Sequence, residues 1–96
     1  MKHLQAITPT GELVDAPADA TFVEVDVRED LRAGREPFNR IMTAVDALRD
    51  GEVLHVRATF APVPLIGMLA ERGLLYQMEA ESDDDWSVWF WRVNRR

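Results

Sequence analysis

From Thr21 onward the chain switches between two hydrophobic rhythms, one of period two and one close to the helical period. Phe22-Val23-Glu24-Val25-Asp26-Val27 sets Val23, Val25 and Val27 on one face of a strand and Phe22, Glu24 and Asp26 on the other. A charged loop, Arg28 to Arg35, follows and contains Gly34. Pro37 suits the first position of a helix, where its missing N–H costs nothing. Phe38, Ile41, Met42, Val45 and Leu48 then form one apolar stripe, and Asp50-Gly51 stops the helix with a glycine able to adopt the left-handed cap conformation. Glu52 to Ala58 alternates again, with Leu54, Val56 and Ala58 opposite Val53, His55 and Arg57. Thr59 to Val63 is a loop. Pro64 opens a shorter helix through Arg72, ended by Gly73. Leu74 to Glu81 reads as a third strand with Leu74, Tyr76 and Met78 inward. Ser82-Asp83-Asp84-Asp85 is a polar turn, and Trp86 to Val93 is a fourth strand with Trp86, Val88 and Phe90 opposite Trp89 and Trp91.

The order β-α-β-α-β-β makes the first two strands parallel, joined by a right-handed crossover, and the last two antiparallel. Two helices cannot cover both sides of a four-stranded sheet this small. The expected architecture is an α+β two-layer sandwich, a four-stranded mixed sheet with both helices on one face and the other face open. Before it, residues 1–20 hold Pro9, Gly11, Pro17 and four alanines, with apolar patches at Leu4 to Ile7 and Leu13 to Val14. These patches predict a hairpin or flap; a loose N-terminal arm fits the same composition. Residues 21–96 form the domain proper.

Composition narrows the function. Ninety-six residues make one domain, and 47% hydrophobic with 29% charged residues argues against disorder. The absence of cysteine removes disulfides, thiolate metal sites and thiol nucleophiles together, and fits a reducing compartment. No apolar run reaches the roughly 18 residues of a membrane span, and the residues after Met1 lack a signal peptide's apolar stretch, so a cytoplasmic location away from membranes is expected. A net charge of -6 repels phosphate backbones, so no nucleic-acid partner is expected; Arg92, Arg95 and Arg96 read as a solvated tail.

Val25-Asp26-Val27-Arg28 leading to Arg35-Glu36-Pro37, Asp50-Gly51-Glu52 before the second strand, Phe60-Ala61-Pro62-Val63-Pro64-Leu65 before the second helix, and tryptophan in the last strand together resemble the TusA/SirA-like small α/β fold. Within that group the chain looks most like the DUF2249 branch, over about residues 22–93. The resemblance implies that the last strand lies inside the sheet, next to the second. TusA-like sulfur carriers hold a persulfide on the cysteine of a Cys-Pro-x-Pro motif at the first helix. Here Glu36 stands at the cysteine position, Pro37 matches the first proline and Asn39 replaces the second. Without a thiol, persulfide relay is excluded on chemical grounds.

Two candidate surfaces remain. Glu36 at a helix start gains from free amides and the helix dipole, which favours its charged form and a capping role. Arg28, Arg32 or Arg35, from the neighbouring loop, could hold a small anion there. His55 and Arg57 share the open face with Trp89 and Trp91, where Arg57 could stack on a tryptophan. With only His3 besides, no metal or other cofactor is expected, and Asp83-Asp84-Asp85 lacks the spaced ligands of a calcium loop. Two tryptophans beside Phe22, Val53 and Leu75 would expose several hundred Å² of apolar surface, more than a monomer usually leaves bare. A second copy, a partner protein or the N-terminal arm should cover them. The leading expectation is a non-catalytic binding or protein-interaction module using that face; the alternative is a small-anion binder or small enzyme around Glu36.

Overall fold

The structure, a computed structural model, describes residues 3–8 and 10–93. Its elements run β1 (Gln5–Ile7), β2 (Leu13–Asp15), β3 (Thr21–Asp26), α1 (Arg28–Arg32), α2 (Phe38–Ala47), β4 (Glu52–Ala58), α3 (Val63–Glu71), β5 (Leu74–Ser82) and β6 (Asp85–Arg92). The main sheet has the order β3-β4-β6-β5. β3 and β4 are parallel, and β6 runs antiparallel to both of its neighbours. The last strand therefore does sit beside the second.

The period-two pattern settles which side of each strand meets the helices. Val25, Leu54, Val56, Ala58, Leu74, Val88 and Phe90 share one buried cluster with Ile41, Met42, Val45 and Leu48 from α2 and its C-terminal end and Ile66 and Leu69 from α3. Both helices thus cover one face. Tyr76 and Met78 point the predicted way, yet they remain 39% and 37% exposed, because β5 is the edge strand and on its helix side only its first residue, Leu74, is buried.

Four local readings change. The loop Arg28 to Arg35 contains the five-residue α1, begun by the Asp26 carboxylate, whose Oδ1 accepts the Arg28 backbone N–H at 3.0 Å. A single turn without a fully buried residue leaves no hydrophobic period to read. At the end of α2, Leu48 is already extended, and the Arg92 guanidinium donates to the carbonyls of Val45 (2.9 Å) and Leu48 (3.2 Å). Arg92 is thus a built-in helix terminator rather than part of a loose tail; Arg95 and Arg96 lie outside the described residues. Gly51 does adopt a positive φ of 86°, but in the turn that enters β4. Asp85 joins β6, which leaves Asp83 and Asp84 as the turn.

The second face of the sheet is not open throughout. β1 and β2 pair antiparallel as a hairpin, and Leu4 and Ala6 pack on Val53, Leu75, Trp89 and Trp91, with Val14, Ala16 and Ala20 alongside. Of the coverings that the sequence leaves open, the N-terminal segment supplies one.

Candidate functional site

On the second face the sheet register builds rows of side chains. Phe22, Val53, Trp91 and Leu75 form an apolar row, followed by Glu24, His55, Trp89 and Gln77, and then by Asp26, Arg57, Ser87 and Glu79. The hairpin lies over the apolar end. Trp91 is 1% exposed and Trp89 6%, so neither offers a bare contact surface. The hairpin is anchored by the Gln5 backbone N–H, which donates to the side-chain carbonyl of Gln77 at 2.8 Å. Its fit is incomplete in one respect: the buried Trp91 indole N–H has no hydrogen-bond partner among the described residues.

At the polar end, His55 stacks flat on Trp89, with ring centroids 4.8 Å apart and planes inclined by 13°. Its Nε2 lies 2.9 Å from the hydroxyl of buried Ser87. Burial lowers the His55 pKa, and nearby Arg57 pushes the same way against the carboxylates of Glu24, Glu81 and Asp26. The expected stacking of Arg57 on a tryptophan gives way to an ion pair. Arg57 donates to both carboxylate oxygens of Asp85, at 2.9 and 2.8 Å. Asp85 also accepts from Arg28 at 3.2 Å, and Arg28 grips Asp26 through Nε (3.0 Å) and a terminal nitrogen (2.7 Å). That two-pronged contact is the main reason the Asp26 carboxyl falls to about 2, and the same pairing raises the Arg28 pKa. Charge is thus neutralised along Asp26, Arg28, Asp85 and Arg57, a clamp that ties β3, α1, β4 and β6 together.

The arginines expected around Glu36 do not converge on it. Arg28 turns to Asp26 and Asp85, while Arg35 and Arg40 both pair with Asp30. Arg32 is exposed at the end of α1. The Glu36 carboxylate accepts the Phe38 backbone N–H at 2.7 Å and so caps its own helix, occupying an amide that an incoming anion would need.

Beside that cap opens a cleft of about 290 Å³, where the ends of β3 and β4 meet the starts of α2 and α3. Val27, Leu31, Ile41, Ala58, Leu65 and Met68 form much of its wall; Phe38 and Phe60 flank it, and among the described residues Glu36 is the one charged residue lining it. Phe60 is 49% exposed. Sequence reasoning missed this cleft because its walls come from five separate segments. The signal available in the sequence is the apolar run Phe60 to Leu65, from the loop into the start of α3, which has too many hydrophobic residues for a solvated connection. Among the described residues no group of three His, Asp or Glu side chains could hold a metal, and no helix is long and apolar enough to cross a membrane.

Residues 24–92 match a family described as "Uncharacterized conserved protein (DUF2249)". No curated protein and no solved structure matches the chain. The matched segment starts inside β3 and takes in the rest of the sheet, its helices and the cleft, but not the hairpin.

Proposed function

We propose that this chain, which belongs to the DUF2249 family, works as a non-catalytic binding module whose working surface is the cleft at the starts of α2 and α3. One observation carries the reading: an apolar, partly open cleft stands beside a helix cap, with a carboxylate and, among the described residues, no thiol, hydroxyl or imidazole lining it. The volume of about 290 Å³ lies at the lower end of the roughly 300–1,000 Å³ usual for ligand sites. It suits one ring or branched side chain presented by a partner rather than a large cofactor. Glu36, the only charged lining residue among those described, favours a neutral or cationic group over an anion.

This reading moves recognition away from Trp89 and Trp91, which the chain covers by itself, and keeps it beside Glu36. The alternative, a small-anion site among Arg28, Arg32, Arg35 and Glu36, gains little from arginines already held by Asp26, Asp30 and Asp85.

Methyl-detected NMR with four probes separates the two. Indole and benzamidine should shift the methyl signals of Leu31, Ile41, Leu65 and Met68, and Leu31→Glu should abolish those shifts. Benzoate or inorganic phosphate should move none of them. Shifts induced by phosphate at the Arg28 to Glu36 segment, with indole silent, would replace the apolar reading with the anionic one.

A further inference from the structure

The cleft beside Glu36 is distinguished by what its walls lack. Among the described residues that line it, none has a side-chain hydrogen-bond donor. Its backbone is short of donors too. Pro37, Pro62 and Pro64 carry no N–H, the Phe38 N–H is spent on Glu36, and the Val63 N–H goes to the Ala61 carbonyl at 2.9 Å. The starts of α2 and α3 therefore present few of the free amides that make a helix N-terminus positive.

What the walls do hold is negative charge and aromatic surface. Glu36 uses Oε1 to cap its own helix, and no described residue takes its second carboxylate oxygen. Phe38 and Phe60, both exposed, flank the opening. Arg28, Arg35 and Arg40 give their charge to Asp26, Asp30 and Asp85, and Arg32 is exposed and lies outside the lining.

We infer that the cleft holds a quaternary ammonium group, borne by a small free solute with a short neutral tail. This rests on the reading of the cleft as a binding site and names its ligand class. An anion or a carbonyl finds no donor in the walls. A primary ammonium brings three N–H donors, and the one free carboxylate oxygen leaves others unpaired against apolar surface. A trimethylammonium group carries the same charge with no donor to satisfy. Its methyl groups bury against Leu31, Ile41, Leu65 and Met68, while Glu36 and the negative faces of the phenyl rings attract the charge. A volume of about 290 Å³ takes such a solute whole, and the carboxylate at the rim disfavours one with an anionic tail.

Methyl-detected NMR of the full chain tests this with choline, with ethanolamine, and with dimethylbutanol, the neutral isostere of choline that has carbon in place of nitrogen. Choline should move the methyl signals of Leu31, Ile41, Leu65 and Met68 with a dissociation constant about fivefold below that of the isostere, and ethanolamine should move none of them. Added sodium chloride should weaken choline more than the isostere. Glu36→Gln, which keeps an oxygen for the helix cap, should remove most of the difference between the two. Phe60→Leu, in the exposed loop, should weaken choline more than the isostere. The inference fails if the isostere or ethanolamine binds as tightly as choline, or if choline moves nothing while indole shifts the same methyls. In that last case the cleft remains a binding site for another ligand; silence from both choline and indole removes the two readings together. A peptide carrying trimethyllysine that binds more tightly than choline overturns the free solute in favour of a protein partner.

Discussion

The two faces of the same sheet are finished by different means. One is sealed by two helices whose apolar stripes meet Leu54, Val56, Val88 and Phe90, and its cluster includes 14 buried residues. The other is sealed over half its length by a hairpin of two three-residue strands, whose cluster has six, and its remaining half is an ion-pair clamp. Helices of nine or ten residues bring enough apolar side chains to define a core. Three-residue strands contribute little of their own and depend on the tryptophans beneath them. Stability should therefore be concentrated on the helix side, with the hairpin side adding a smaller and more separable part.

The largest test is Phe90→Ala, which empties a fully buried ring site between sheet and helices. It should cost about 3–5 kcal/mol in urea unfolding. Leu4→Ala, the matching deletion under the hairpin, should cost about 2 kcal/mol, because a short hairpin can settle into the gap. It should also shift tryptophan emission to the red, which Phe90→Ala should not do before unfolding. Equal costs at the two sites would erase the proposed asymmetry. Arg92→Ala, which frees the carbonyls of Val45 and Leu48, should cost about 1–2 kcal/mol.

At the polar end the effects are smaller and depend on pH. The folded chain resists protonating His55, whereas the unfolded chain takes up that proton near pH 6.5. Stability is then complete above that value and declines as pH falls below it. His55→Gln should flatten that part of the profile, with Trp89 emission as the local readout, since the imidazole lies on its indole. Asp26 titrates at about 2 instead of 3.8, so its contribution is present above pH 4 and lost as pH falls toward 2. Because Asp26 and Arg28 are partly exposed, Asp26→Asn at pH 7 should cost only about 0.5–1 kcal/mol.

This contrast also explains what could be read from the residues in order. The α2 stripe from Phe38 to Leu48 and the alternation of Glu52 to Ala58 repeat long enough to fix element type and inward side, and with them the two-layer plan. The strand order came from the family resemblance, since no local period encodes which strands are neighbours. β1, β2 and α1 are too short to carry a period, so the hairpin was legible only as a pair of apolar patches and α1 not at all. The site was half legible. Glu36 is legible at a helix start, but nothing in the order of residues says that Arg28 and Arg35 turn to the nearby Asp26 and Asp30 instead, and only the fold brings Asp85 to Arg28.

The hairpin reaches the sheet through five residues, Ala16 to Ala20. A cover held by so short a tether acts at an effective concentration in the millimolar range. Dilution does not lift it. A segment from another molecule competing for Trp89 and Trp91 would need either comparable abundance or much tighter contacts, so these two indoles stay insulated from casual encounters in a crowded solution. Cutting the tether by proteolysis at Ala18 would turn that first-order shield into an ordinary bimolecular ligand that dilution can strip away.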